Sequence, residues 1–104
     1  MSYIKGILQE EHQRLKALTE KYRAEIEALP RGSISLKKRN QYEYLYLAFR
    51  QKDKVRFRYI GSMVSENAQA VIKKIKLRKK YEEKIKQVKK NLGEIEKALY
   101  GRKI

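Results

Sequence analysis

Tyr42, Tyr44 and Tyr46 recur at every second position, and Lys37, Arg39, Arg50, Arg56 and Arg58 lie in the same stretch of chain. A spacing of two is the side-chain period of a β-strand, so the three rings belong on one face. Such a row offers stacking platforms on which each base contributes roughly 1–3 kcal/mol, while flanking cations neutralise phosphates. This pattern points to nucleic-acid binding on a basic, aromatic sheet face. The competing reading is a tyrosine ladder whose cross-strand and cation–π contacts serve the sheet alone. The face lacks the glycines of an RNA-recognition-motif signature.

A second basic feature is the run from Lys73 to Lys90, ten basic residues opposed only by Glu82 and Glu83. Lys73, Lys76 and Lys80 are its candidate phosphate contacts. Lysine dominates arginine here, which suits sequence-independent electrostatics better than bidentate reading of base edges. The plain alternative is a solvated helix face.

Enzyme chemistry finds little support. The single histidine, His12, sits beside Glu10 and Glu11 on an amphipathic segment and is expected at the surface. It has no second histidine or cysteine at metal-ligand spacing, so neither a metal site nor a cofactor is expected. Ser33, Ser35, Ser62 and Ser65 have no evident base partner, and the glycines are isolated rather than gathered into a phosphate-cradling loop. The chain is expected to be non-enzymatic.

Three kinds of element must position these residues. Residues 3–29 read as an amphipathic helix: Leu8, Leu15, Tyr22 and Leu29 recur every seven residues, with Ile4, Leu18 and Ile26 alongside. Glu11 and Glu25 interrupt this seam, and Pro30 ends the helix because a residue before proline avoids the α region. Residues 65–100 read as a longer, basic helix capped by Ser65. Its apolar stripe begins with Ala68, Ile72 and Ile75, loses a step, and resumes with Tyr81, Ile85, Val88, Leu92, Ile95 and Leu99.

Between the helices, over residues 33–61, the period changes to two, and the short connections predict an antiparallel three-stranded meander. A two-residue turn at Asn40-Gln41 pairs Arg39 with Tyr42, Leu36 with Leu45 and Ile34 with Leu47. A three-residue loop, Gln51-Lys52-Asp53 with Asp53 left-handed, would pair Phe49 with Val55, Leu47 with Phe57 and Leu45 with Tyr59. All apolar strand residues then share one face, leaving Lys37, Arg39, Tyr42, Tyr44, Tyr46, Arg50, Arg56 and Arg58 on the other. The expected fold class is α+β: a meander inserted between two long helices that pair as an antiparallel, coiled-coil-like hairpin.

With 104 residues the chain reads as a single domain. Its 27 Lys and Arg against 12 Asp and Glu give a formal charge of +15, a statement about partners rather than fold. Residues 1–33 carry only +1, residues 34–61 carry +6 and residues 62–104 carry +8. No cysteine is present, which excludes disulfides and thiolate metal sites. No signal-like segment and no run near 20 apolar residues appears, so a cytoplasmic location without membrane association is expected. The basic helix also lacks the tryptophan and phenylalanine that anchor interfacial helices.

Three segments carry a family resemblance: Leu29-Pro30-Arg31-Gly32-Ser33-Ile34, then Tyr42 through Arg50, then Lys54-Val55-Arg56-Phe57-Arg58-Tyr59-Ile60-Gly61. Over roughly residues 29–100 the chain resembles a family of small uncharacterised prokaryotic proteins with a leucine–proline–any–glycine–serine lead-in, a tyrosine-rich strand and a lysine-valine strand. Many members have two glycines where this chain has Lys52-Asp53. The family is similar to proteins encoded near mobile elements or near abortive-infection-type nucleotidyltransferase toxins, which implies DNA binding or an antitoxin-like role. The functional expectation is therefore a nucleic-acid-binding protein, with interaction with an acidic protein as the alternative. A homodimer through the long helix is a further possibility, since two-fold symmetry suits palindromic DNA.

Overall fold

A computed structural model describes residues 2–101. In chain order it contains α1 (Ser2–Glu27), β1 (Ser33–Arg39), β2 (Tyr42–Gln51), β3 (Lys54–Ser62) and α2 (Glu66–Tyr100). The strands form one antiparallel sheet in the order β1-β2-β3, the α+β layout expected. The chain divides into two compact units: residues 28–79 hold the sheet and the first part of α2, and residues 1–27 with 80–104 hold α1 and the rest of α2.

In the sheet unit, Leu45, Leu47, Ala68 and Ile75 are buried. Leu45 and Leu47 lie two apart on β2 and so share one face, and Ala68 and Ile75 lie on one stripe of α2, seven residues apart. Burying each leucine contributes roughly 1.5–3 kcal/mol. Ser65 caps α2 as expected: its Oγ accepts the Ala68 N–H at 3.1 Å and donates to the Ser62 carbonyl at 2.7 Å. Asn67 and Gln69 fasten the same junction by donating to the Ile60 and Met63 carbonyls. At the other end of the unit, α1 has already stopped at Glu27, two residues short of the predicted end. The Leu29 carbonyl, released by the proline that follows, accepts a hydrogen bond from Arg78 Nη1 at 2.8 Å.

The β1–β2 hairpin has the predicted register, with Arg39 opposite Tyr42, Leu36 opposite Leu45 and Ile34 opposite Leu47. The β2–β3 hairpin does not. Its loop is two residues, Lys52-Asp53, with Gln51 opposite Lys54, Arg50 opposite Val55, Phe49 opposite Arg56, Ala48 opposite Phe57 and Leu47 opposite Arg58. Lys52 rather than Asp53 is left-handed (φ 57°). One residue fewer in the loop inverts the facing of β3. A three-residue loop would send every apolar side chain of the meander inward. The actual turn leaves Val55, Phe57 and Tyr59 on the open face, each a little over half exposed. A bulge between Leu45 and Tyr46 then shifts the pairing so that Leu45 faces Gly61.

In the helical unit α1 and α2 run antiparallel: Tyr22 meets Tyr81 with ring centroids 5.7 Å apart, while His12 meets Glu96 and Tyr100 near the far end of α2. Leu15 and Val88 are buried, as is Thr19, whose hydroxyl donates to the Leu15 carbonyl. His12 is not the surface residue expected. Its side chain is 14% exposed and its Nε2 lies 3.0 Å from Glu96 Oε2, because the returning helix covers it. Glu11 interrupts the seam without harm, since it pairs with Arg14 on its own helix. That hydrogen bond and charge hold the Glu11 carboxyl below its ordinary range, so the pair's contribution is lost only as pH falls through the lowered value. The boundary between the two units falls in α2 between Lys79 and Lys80, within the Ile75–Tyr81 interval where the apolar stripe loses a step. Among the described residues no helix is long and apolar enough to cross a membrane.

Two backbone positions test this description. Gly32 has φ 124°, and a Cβ there would meet the Ala48 carbonyl oxygen at 2.7 Å. Gly32→Ala is expected to cost about 2–3 kcal/mol, a fall in Tm on the order of 10 °C by circular dichroism. Lys52→Gly relieves a left-handed lysine and is expected to stabilise by roughly 0.5–1 kcal/mol in urea titrations.

Candidate nucleic-acid interface

The open sheet face is built outward from β2. Tyr42, Tyr44 and Tyr46 share it with Lys37 and Arg39 of β1, as expected, and with Phe57 and Tyr59 of β3, which were expected in the core. Tyr59 is the hub of the rings: its centroid is 5.3 Å from that of Tyr46, nearly edge-to-face, and 6.3 Å from that of Tyr44. Tilted rings of this kind are mutually attractive and leave parts of their faces open. Lys37 Nζ stands 4.7 Å from the Tyr46 ring centre and 4.9 Å from that of Phe57, a double cation–π contact spanning all three strands. Arg39, Tyr44, Tyr46 and Tyr59 line a shallow concavity of about 220 Å³ on this face.

Arg56 and Arg58 are not on this face. They lie opposite Phe49 and Leu47, on the side that carries the buried leucines, and both side chains are exposed. Arg50 has the parity of the tyrosines, but it sits beyond the start of β1, which begins opposite Ala48. No strand covers that flank of β2, and Arg50 lines a second concavity with Pro30, Arg31, Leu47, Phe49 and Arg58. The predicted arginine–tyrosine row is therefore two clusters, one aromatic and one of arginines.

Phe57, Tyr59 and Arg31 are the members that sequence reasoning missed. The two-residue default for hairpin loops carried the signal for the first two; nothing in the spacing placed Arg31 beside Arg50 and Arg58. Of the α2 candidates, Lys73 and Lys76 belong to the sheet unit and Lys80 to the helical unit, and all three are exposed. Elsewhere in the basic run, Arg78 is engaged with the Leu29 carbonyl and Lys84 lies against the Tyr22 and Tyr81 rings. The charge is concentrated in the sheet unit, where 14 Lys and Arg against 3 acidic residues give +11.

A family match runs over residues 8–69, more than half of the chain. The chain belongs to the DUF6788 family, a domain of unknown function. The match takes in most of α1, the whole meander and the first turn of α2, so it begins earlier and ends earlier than the stretch that carries the resemblance in sequence. Both concavities fall inside it, and Lys73, Lys76 and Lys80 fall outside. No curated protein and no solved structure matches the chain. Among the described residues no group of three or more His, Asp or Glu side chains is placed to hold a metal.

The register makes a sharp prediction. Phe57→Ala in a core would cost about 3–5 kcal/mol, but on the open face it removes a half-exposed ring and its cation–π contact with Lys37. The expected loss in chemical denaturation is about 1 kcal/mol, and a loss of 3 kcal/mol or more would return Phe57 to the core.

Proposed function

We propose that this protein binds single-stranded nucleic acid on the open face of its sheet. The observation that carries the reading is the cluster of Tyr44, Tyr46, Phe57 and Tyr59 with Lys37 laid across two of the rings. A base that displaces the lysine head gains a ring to stack on, and the displaced ammonium is left beside the backbone phosphate. The shallow, tilted platform suits unstacked bases, whereas a duplex buries its base faces. Lys73 and Lys76, exposed in the same unit, would add affinity without sequence preference. The +11 charge of the sheet unit supplies attraction at longer range.

A second reading has one observation in its favour. β3 is an edge strand on which Lys54, Arg56 and Arg58 alternate with exposed Val55, Phe57 and Tyr59. An acidic protein could add a strand there, with carboxylates opposite the cations and apolar residues opposite the rings. An antitoxin-like or assembly role would use this edge.

Fluorescence anisotropy with single-stranded and duplex oligonucleotides across a salt series separates the two. The expected result is preference for single strands, with log K falling against log salt at a slope near −0.7 per neutralised phosphate. Tyr46→Ala and Tyr59→Ala should each weaken binding about 5- to 100-fold. The reading fails if no probe binds at low salt, or if both tyrosine variants, still folded by circular dichroism, bind like the parent. Co-purification of an acidic protein resistant to nuclease, lost on Phe57→Asp, would favour the edge-strand alternative.

A further inference from the structure

The second concavity lies where the chain leaves Pro30 and Gly32 to enter β1. Pro30, Leu47 and Phe49 give it an apolar floor, and Arg31, Arg50 and Arg58 stand around it. None of the three arginines forms a hydrogen bond or ion pair among the described residues. That differs from Lys37 and Arg78 of the same unit, which are held by rings and by a carbonyl. Three guanidinium groups around one apolar-floored hollow repel each other, and no carboxylate lines the hollow to offset them.

The backbone brings them together by separate constraints. Gly32 lets the lead-in segment lie against β2, since a Cβ at that position would meet the Ala48 carbonyl. The two-residue turn places Arg58 opposite Leu47. The late start of β1 leaves room for Arg50 to reach the same hollow.

We infer that this hollow is an anion subsite that takes a phosphate monoester group. A guanidinium presents two parallel N–H donors that match a pair of phosphate oxygens, and three of them can serve a dianion where a carboxylate would satisfy one. The volume, about 210 Å³, falls below the roughly 300–1,000 Å³ of pockets that enclose whole drug-sized ligands. It suits a phosphoryl group with part of an attached flat moiety resting on Pro30 and Phe49. The inference does not rest on the tyrosine face, which uses different side chains. A terminal phosphate on a nucleic acid and the phosphate of a free mononucleotide present the same chemistry.

Isothermal titration calorimetry with the full chain tests it, using a short oligonucleotide with a 5′-phosphate, the same oligonucleotide with a 5′-hydroxyl, a nucleoside monophosphate and inorganic phosphate. The 5′-phosphorylated form is expected to bind at least 10-fold more tightly than the 5′-hydroxyl form. Arg31→Gln and Arg58→Gln should each abolish that advantage, while Arg56→Gln, an equal loss of charge on the same strand, keeps it. Binding of the nucleoside monophosphate at the same arginines would assign the subsite to a free ligand, and its absence to a strand end. Tyr46→Ala should leave the 5′-phosphate advantage intact even where it weakens overall binding, so this subsite and the tyrosine reading fail separately. Equal binding of the two oligonucleotides, together with no binding of either small phosphate, overturns the inference. So does equal sensitivity to Arg56→Gln, or an acidic peptide displacing the phosphate probes more strongly than they bind.

Discussion

The make-up of both faces of the sheet hangs on the parity of one hairpin. With two residues between Gln51 and Lys54, every odd-numbered residue of β3 from Val55 to Tyr59 faces the same side as the even-numbered tyrosines of β2. Two rings and a valine side chain become solvent-facing, and two arginines move to the side of the buried leucines. The turn costs a lysine in a conformation that L-residues avoid. What holds it is the combined ladder on both sides of β2 and the bulge before Tyr46, which lets β3 twist away and deliver Gly61 and Ser62 to the cap of α2.

The second organising feature is the division of α2. Its first residues bury Ala68 and Ile75 with the sheet, and its later ones bury Val88 in the unit that contains α1. One helix thereby serves two small cores, and the missing step in its apolar stripe marks where one duty ends. The sheet unit has only four buried apolar residues and carries +11. Self-repulsion in such a unit lowers its stability, and an anionic partner that binds only the folded form would restore it by mass action.

Much of this was legible from residue types alone. Helix and strand periods gave the order of elements, Ser65 gave the cap, and Asn40-Gln41 gave the first hairpin, because the alternation in β1 and β2 left one register that kept Leu45 and Leu47 inside. The second hairpin was harder because Val55, Phe57 and Tyr59 alternate equally well in either parity. The rule that apolar residues go inside chose the wrong one, since aromatic rings beside cations are stable at a surface. His12 was misplaced for a related reason: its burial depends on which residues the returning helix brings opposite, and Glu96 and Tyr100 lie more than eighty residues away. The arginine hollow joins Arg31, Arg50 and Arg58 from three segments, and only the register brings them together.

Both edges of the sheet are unpaired, and each is lined with cations: Lys37, Lys38 and Arg39 on β1, and Lys54, Arg56 and Arg58 on β3. An exposed strand as long and apolar as β3 is ordinarily a template for sticking to its own kind. Two copies meeting edge to edge would oppose basic side chains at every second position, so the same residues act as a guard against sheet extension. That guard is electrostatic and shrinks with the Debye length, to about 3 Å at 1 M salt. Concentrated salt, which would weaken the hold on any anionic partner, thus also removes the barrier to self-association, and the two effects would set opposite demands on how the protein is handled.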